Sequence, residues 1–170
     1  MTASADNIYL RPIQEKDNAA IAALIRYVFI ELGVPKVGSA YADPMLDHLY
    51  EHYQAQGSAY FVLEQNGGIV GGAGIGPLLG ITESATEDVT CELQKMYLSQ
   101  RVRGLGQGER LIQHCLSIAQ DLGYQQCYLE TMPSMVSAQK LYEKMGFQHL
   151  DHAMGNTGHH SCPVWMLKKL

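Results

Sequence analysis

The stretch Arg103–Cys115, "RGLGQGERLIQHC", places alternating glycines directly before an amphipathic pattern. Apolar residues recur there at helical spacing, which predicts a helix from Gly106 to Leu122. The first backbone N–H groups of a helix have no partner within it, and with the helix dipole they favour an anion. Glycine lets a phosphate approach the backbone closely. The stretch therefore predicts a diphosphate site at a helix start, with a tight turn that only helps the helix to pack as the alternative.

The segments around this helix predict strands. "CELQKMYL" from Cys91 precedes it and "QQCYLET" from Gln125 follows it, and two strands joined by a helix pair in parallel. Asn66-Gly67 separates two earlier strands and predicts an antiparallel hairpin. A second helix is expected from Asp43 to about Gln56. The fold class is α/β, with a mixed, mostly antiparallel central sheet flanked by helices in the order β-α-α-β-β-β-α-β-α-β-β.

The composition is that of a globular protein. Hydrophobic residues make up 46% of the 170 residues and charged ones 17%, which predicts one domain over residues 1–170. The net charge of −5 argues against nucleic-acid binding, because such a surface is basic. Neither a membrane-spanning apolar run nor a signal peptide is evident. Four cysteines without a Cys-x-x-Cys pair fit a reduced state, so we expect a cytoplasmic protein that does not bind membranes.

Other phosphate-binding motifs fit the glycines less well. A dinucleotide fingerprint starting at Gly104 would need its third glycine at Glu109, where a carboxylate opposes an anion. Glu130 does lie roughly where such a fold places its ribose-binding acid, so a nicotinamide-dinucleotide oxidoreductase stays as a weaker alternative. A P-loop is excluded, because no Gly-Lys-Ser/Thr follows.

Two motifs of the chain resemble those of the GCN5-related N-acetyltransferases (GNAT). Residues 103–108, "RGLGQG", match the acetyl-CoA signature Gln/Arg-x-x-Gly-x-Gly/Ala of that family. Downstream, "SAQKLYEKMGF" carries Ala138, Tyr142, Gly146 and Phe147 at the spacing of a second signature. The resemblance implies a GNAT-like acyl-CoA N-acyltransferase fold and transfer of an acetyl group from acetyl-CoA to a primary amine of a small molecule, amino acid or peptide.

The resemblance also implies which residues hold the cosubstrate. The glycine-rich loop would bind the pyrophosphate of acetyl-CoA, and the strand before it, which carries a bulge near Met96 in the family, would pair with the pantetheine arm. The chain departs from the family at Met135, where an Asn is frequent, and a nearby serine is expected to compensate. The predicted cofactor-binding residues are Met96, Tyr97, Leu98, Arg103, Gly104, Leu105, Gly106, Gln107, Gly108 and Ser137.

Three residues are predicted to be catalytic. Tyr142 matches the family's tyrosine that donates a proton to the leaving thiolate, with a core aromatic as the alternative. Glu92 lies on the strand where some members carry a catalytic glutamate, and a solvated strand residue is its alternative. Glu130 ends the next strand and is expected to act as base or as an anchor for the acceptor's ammonium group.

The remaining expectations concern metals and partners. His152, His159, His160 and Cys162 lie close in sequence, but their spacing fits no zinc pattern, so no metal is predicted. A role of this loop and of residues 34–42 in recognising the acceptor is favoured. We expect a small-molecule or peptide amine acceptor, no nucleic-acid partner, and a monomer or homodimer. A non-catalytic acyl-CoA-binding sensor is the main alternative.

Overall fold

The computed structural model describes residues 7–81 and 89–170. The acidic segment at residues 83–88, whose sequence suggests a role in interaction, lies outside the described part. The described residues form a sheet of seven strands in the order β1-β2-β3-β4-β5-β7-β6. The strands are Ile8–Pro12 (β1), Ala59–Gln65 (β2), Gly68–Pro77 (β3), Thr90–Leu98 (β4), Gln126–Thr131 (β5), Gln148–Leu150 (β6) and Val164–Lys169 (β7).

The strand pairing confirms the predicted mixed sheet. β4 and β5 are parallel, and the other neighbouring pairs of the described sheet are antiparallel. The hairpin between β2 and β3 turns at Asn66 and Gly67, both of which have a positive φ, as the tight turn of an Asn-Gly hairpin requires. The predicted order of elements is correct.

The helices are Asn18–Leu32 (α1), Leu49–His52 (α2), Gln107–Asp121 (α3) and Val136–Lys144 (α4). The prediction of a second helix from Asp43 to Gln56 is wrong in its extent, because α2 is one short turn preceded by 3₁₀ turns. The side chain of Asp43 accepts a hydrogen bond from the backbone N–H of Met45 at 2.8 Å, and such local bonds compete with helix formation. Among the described residues, no helix combines the length and apolarity needed to cross a bilayer.

The helices cover the two faces of the sheet. Tyr60 and Val62 of β2 pack in a core cluster with residues of α1, whereas Phe61 and Leu63 pack in a second cluster with residues of α3. Successive residues of a strand point to opposite faces, so α1 and α3 lie on opposite sides. The central strands therefore lie between two apolar cores.

β4 changes its pairing half-way along. In the described structure it pairs with β5 only from Thr90 to Glu92. Its register with β3 then shifts near Lys95, a non-glycine residue with a φ of 47°. This bulge agrees with the one that the resemblance implies near Met96. It follows that the second half of β4 diverges from β5 and leaves a gap in the middle of the sheet.

Candidate active site

A groove of about 620 Å³ follows the second half of β4. This volume lies within the range of about 300–1,000 Å³ that is typical of ligand sites. The groove runs from the start of α3 to α4, with apolar residues of α1 on one side. Its lining includes Val28, Leu32, Met96, Tyr97, Leu98, Arg103, Gly104, Gly106, Gly108, Glu109, Ser134, Met135, Ser137, Ala138, Leu141 and Tyr142.

The glycines at the end of the groove have different roles. Gly104 and Gly106 have φ values of 75° and 74°, which glycine adopts far more readily than other residues. The space where a Cβ would stand at either residue is open, so a ligand can approach the backbone there. Gly108 is needed for packing instead, because a Cβ would lie 2.8 Å from Leu141 Cδ2. An open glycine pair at the start of α3 fits a phosphate-bearing group.

Arg103 is held by protein groups. Its Nε donates to the carbonyl oxygen of Leu98 at 3.0 Å, and its guanidinium forms an ion pair of 2.7 Å with Glu31 of α1. Glu109 also lies near the predicted phosphate site, but its carboxylate pairs with Lys144 of α4 at 2.7 Å. Both charges at this end of the groove are therefore largely neutralised within the protein.

Eight of the ten predicted cofactor-binding residues line the groove. The other two, Leu105 and Gln107, lie between the glycines without contributing to this lining. Leu105 is exposed, and the side-chain oxygen of the buried Gln107 accepts a hydrogen bond from Arg110 at 3.3 Å. The structure thus places eight of the predicted cofactor residues along one continuous surface, whereas Leu105 is exposed and Gln107 contacts Arg110.

A second, smaller cavity of about 50 Å³ adjoins the groove. It lies at the gap between β4 and β5, and all three predicted catalytic residues line it. Four residues, Met96, Tyr97, Met135 and Tyr142, line both spaces. The lining of the cavity also includes Ala40, Glu92, Gln94, Lys95, Leu129, Glu130, Thr131, Met132, His159 and Cys162.

Glu92 lies in the cavity wall with only 5% of its surface exposed. Burial raises the pKa of its carboxyl group to about 7, and the nearby Glu130 adds to the rise, whereas Gln94 and Lys95 act to lower it. The hydrogen bond from Gln94 Nε2 to Glu92 Oε2 measures 2.8 Å. A carboxyl group with a pKa near 7 can accept a proton at neutral pH. The burial of Glu92 also excludes the alternative that it is an ordinary solvent-exposed strand residue.

Glu130 has two hydrogen bonds that fix its carboxylate. Tyr128 donates to Oε1 and Thr157 donates to Oε2, both at 2.8 Å. Burial raises the pKa of Glu130, and these two donors act to lower it. Because both of its oxygens already accept a hydrogen bond, Glu130 is better suited to attracting a cation than to exchanging a proton.

Tyr142 of α4 is 8% exposed and lines both the groove and the cavity. Its ring packs edge-on against Phe147, with centroids 6.0 Å apart, so the residue does belong to the core. Burial also raises the pKa of its hydroxyl group to about 12. The hydroxyl group therefore stays protonated near neutral pH and can act as a donor at the junction of the two spaces.

One charged residue of the cavity wall and its ion-pair partner were not predicted as site residues from the sequence. Lys95 at the bulge is buried and forms an ion pair of 2.6 Å with Asp43, which lies in the segment between α1 and α2. No sequence signal marked either residue, because they are 52 positions apart and neither belongs to a motif. His159 and Cys162 also line the cavity, as expected for the loop before β7. Within residues 7–81 and 89–170, no group of three or more His, Cys, Asp or Glu side chains is arranged to hold a metal ion.

Comparison with known families identifies this arrangement. The profile of the acetyltransferase (GNAT) family matches residues 20–147, about three quarters of the chain. The chain belongs to the GNAT family. It is accordingly an acetyltransferase of the family that uses acetyl-CoA, and the alternative of a nicotinamide-dinucleotide oxidoreductase is set aside.

Similar GNAT proteins come from bacteria and mammals. YjgM, an uncharacterised N-acetyltransferase of Escherichia coli K12, is 44% identical over 162 residues, which cover 95% of this chain and 94% of that protein. The human N-acetylaspartate synthetase is 31% identical over 119 residues, or 70% of this chain and 36% of that protein. The match to the rat synthetase covers 85% of this chain and 45% of that protein, at 29% identity. The chain thus spans less than half the length of either synthetase.

Solved structures of low sequence identity share the fold. A GNAT acetyltransferase of Staphylococcus aureus Mu50 superposes with a TM-score of 0.80 at 18% identity, covering 95% of this chain and 98% of that one. The protein yncA of Salmonella typhimurium, solved with its cofactor acetyl-CoA, gives a TM-score of 0.76 at 19% identity over 96% of this chain and 94% of that one. These matches confirm the predicted GNAT-like fold.

Proposed function

We propose that this GNAT protein transfers the acetyl group of acetyl-CoA to a primary amine of a small molecule, amino acid or peptide. One observation carries the proposal. A groove that begins at an open glycine pair on a helix N-terminus meets, at Tyr142, a cavity that contains two carboxyl groups. The two spaces offer a place for each substrate, and the residues at their junction lie where the acetyl group has to pass between them.

The cosubstrate would lie along the groove. Backbone N–H groups at the start of α3 are suited to the pyrophosphate, and the second half of β4, from Met96 to Leu98, is suited to the pantetheine arm because it is not paired with β5 in the described structure. Ser134 and Ser137 line the groove beside Met135, where they offer hydroxyl groups in place of the family's Asn. Acetyl-CoA supplies the activated acetyl group.

Glu92 would act as the general base. An aliphatic amine with a pKa near 10.4 is mostly an ammonium ion at pH 7, so it must lose a proton before its nitrogen can attack the thioester carbon. Glu92, with a pKa of about 7, takes that proton. As the C–S bond breaks, Tyr142 donates its hydroxyl proton to the departing sulfur. The nitrogen loses its second proton, which passes through water to restore the hydroxyl group of Tyr142, and Glu92 releases the first proton to solvent.

The charges of the cavity favour a cationic acceptor. Its buried cation, Lys95, is already paired with Asp43, whereas Glu92 and Glu130 form no ion pair among the described residues. An ammonium group would relieve the repulsion between these two carboxyl groups. An acceptor such as aspartate carries a side-chain carboxylate that needs a cationic partner. The lining of this cavity offers no unpaired lysine or arginine for it. We therefore expect basic amines to react better than aspartate, the acceptor that the names of the mammalian synthetases indicate.

The test combines ligand binding with turnover. Melting curves are recorded with acetyl-CoA, CoA and NADH, and CoA release is then followed with putrescine, agmatine, L-lysine and L-aspartate. Ligand at about 100 times its dissociation constant adds about 2.7 kcal/mol, or a rise of about 5–10 °C. We expect the two CoA species to raise the melting temperature and a basic amine to be acetylated. A CoA-dependent shift without turnover of any amine would favour the acyl-CoA sensor, and absence of the shift would refute the proposal.

A further inference from the structure

The glycines of β3 make room for two tyrosine rings. A Cβ on Gly74 would lie 2.5 Å from Tyr60 Cδ2 and 2.9 Å from Tyr53 Cε1, and one on Gly72 would lie 2.8 Å from Tyr60 Cε1. These distances are too short for any side chain. The rings of Tyr53 and Tyr60 lie 5.0 Å apart and are both buried. The glycines of this strand therefore leave the space that the two tyrosine rings occupy.

Each of the two tyrosines holds a different part of β4. The hydroxyl group of Tyr60 donates to the carbonyl oxygen of Lys95 at 2.8 Å, which is the residue of the bulge. The hydroxyl group of Tyr53 donates to Gln94 Oε1 at 2.7 Å. The pair thus contacts the backbone that opens the gap in the sheet and the side chain that lies next to Glu92.

The hydrogen bond from Tyr53 determines which way the amide of Gln94 faces. An amide oxygen can only accept and its nitrogen can only donate, so an oxygen held by Tyr53 leaves the nitrogen directed at Glu92. That nitrogen donates to Glu92 Oε2 at 2.8 Å. A donor at this position favours the ionised carboxylate, the form that a base needs, and it occupies one of the two carboxylate oxygens.

We propose that Gln94, oriented by Tyr53, is a positioning residue for Glu92. Its amide nitrogen binds one carboxylate oxygen of Glu92, and the other oxygen stays free to accept the proton of the amine. The inference rests on the proposed role of Glu92, and it assigns a purpose to the glycines of β3. Neither Gln94 nor Tyr53 needs to touch a substrate for this effect, since both act through the carboxyl group of Glu92.

Other titratable groups around Glu92 come from several elements. They are Lys95 on the same strand, Glu130 and Tyr128 on β5, Tyr53 after α2, and His159 and Cys162 in the segment before β7. Glu130 acts to raise the pKa of Glu92 and Lys95 to lower it, while burial is the largest effect. A variant that leaves all of these in place isolates the contribution of the hydrogen bond.

The test is a titration of the Glu92 carboxyl group by NMR, using protein with ¹³C-labelled glutamate carboxyls and a Glu92→Gln variant to assign the signal. Gln94→Met keeps the length of the side chain and removes the donor, so we expect the midpoint to rise by about one pH unit. Tyr53→Phe frees the amide to turn its oxygen towards Glu92, and we expect a smaller rise of about half a unit. The ascending limb of the pH–rate profile with the amine that reacts fastest should move by the same amounts.

Tyr124→Phe is the matched control. It removes another buried tyrosine hydroxyl group, which donates to the carbonyl oxygen of Gly57 at 2.7 Å, so it should cost comparable stability without moving the Glu92 midpoint. An unchanged midpoint in both Gln94→Met and Tyr53→Phe would overturn the inference and leave Glu92 as base. If Glu92→Gln retains the normal rate and the normal pH limb, the base assignment and the inference both fail, whereas the retained turnover itself supports the proposed acetyl transfer.

Discussion

The groove and the cavity differ in the chemical groups that line them. The end of the groove at the start of α3 is lined by one short loop through Arg103, Gly104, Gly106 and Gly108, and its three glycines offer only backbone. The cavity is walled by side chains from distant segments, so that Ala40 and Cys162 lie in the same lining as Glu92. A backbone site depends on few residue types, whereas a side-chain site changes with each substitution. We therefore expect substitutions in the cavity to alter the choice of acceptor more than the binding of acetyl-CoA.

Of the substitutions that separate the role of the groove from that of the cavity, removal of the Tyr142 hydroxyl group should have the largest effect on the reaction. Tyr142→Phe keeps the ring in the core but loses the donor at the junction, so kcat should fall by about a hundredfold. The dissociation constant of acetyl-CoA, measured by calorimetry, should stay within about twofold because the groove keeps its shape. An unchanged kcat would remove Tyr142 from the mechanism and leave it as a core aromatic.

A substitution in the glycine loop should instead weaken the binding of acetyl-CoA and leave kcat nearly unchanged. Gly106→Ala forces a non-glycine residue into a left-handed conformation at a cost of about 1–2 kcal/mol and occupies open space above the backbone, so acetyl-CoA should bind about tenfold more weakly with kcat nearly unchanged. Gly123→Ala is the control, since Gly123 also has a positive φ and open space around it but lies after the other end of α3. Equal effects on binding from the two variants would mean that the loop acts only through stability.

The smallest effect is expected at the Arg103–Glu31 ion pair. Glu31→Gln removes a negative charge near the predicted phosphate site and frees the guanidinium group, so acetyl-CoA should bind about two- to fivefold more tightly at low salt, and less so at high salt. Asp47→Asn breaks a comparable exposed pair with Arg26 of α1 and should not alter binding. Weaker binding in Glu31→Gln would show that the ion pair holds the groove in shape.

The sequence predicted most of the fold and the groove because their signals are local. Helical spacing, the Asn66-Gly67 turn and the loop at residues 103–108 each depend on neighbouring residues. The second helix was predicted too long because the competing bond from Asp43 to Met45 cannot be recognised from periodicity. The ion pair between Lys95 and Asp43, like the contact of Tyr53 with Gln94, depends on the three-dimensional fold.

The same principle applies to the glycines of β3. Several glycines within one strand are typical of a bulge or a close approach of the backbone, and the structure contains both, at the register shift between Gly72 and Gly74 and at the ring of Tyr60. Which side chains come close was not predictable, because Tyr53 and Tyr60 resemble ordinary core aromatics in the sequence. The link from these glycines to Glu92 depends on the burial of the two tyrosine rings and on their distances to β3 and to Gln94.

The divergence of β4 from β5 has a consequence for how the protein avoids unwanted association. Unpaired strand edges normally invite pairing with another polypeptide chain. Here the unpaired half of β4 lies inside the sheet, bordered by β3 on one side and by α4 across the groove. The groove in front of it is lined by residues of α1 and α4, so a second β-strand would have to fit between these helices to reach it. The protein thus keeps an exposed hydrogen-bonding edge without offering a template for aggregation.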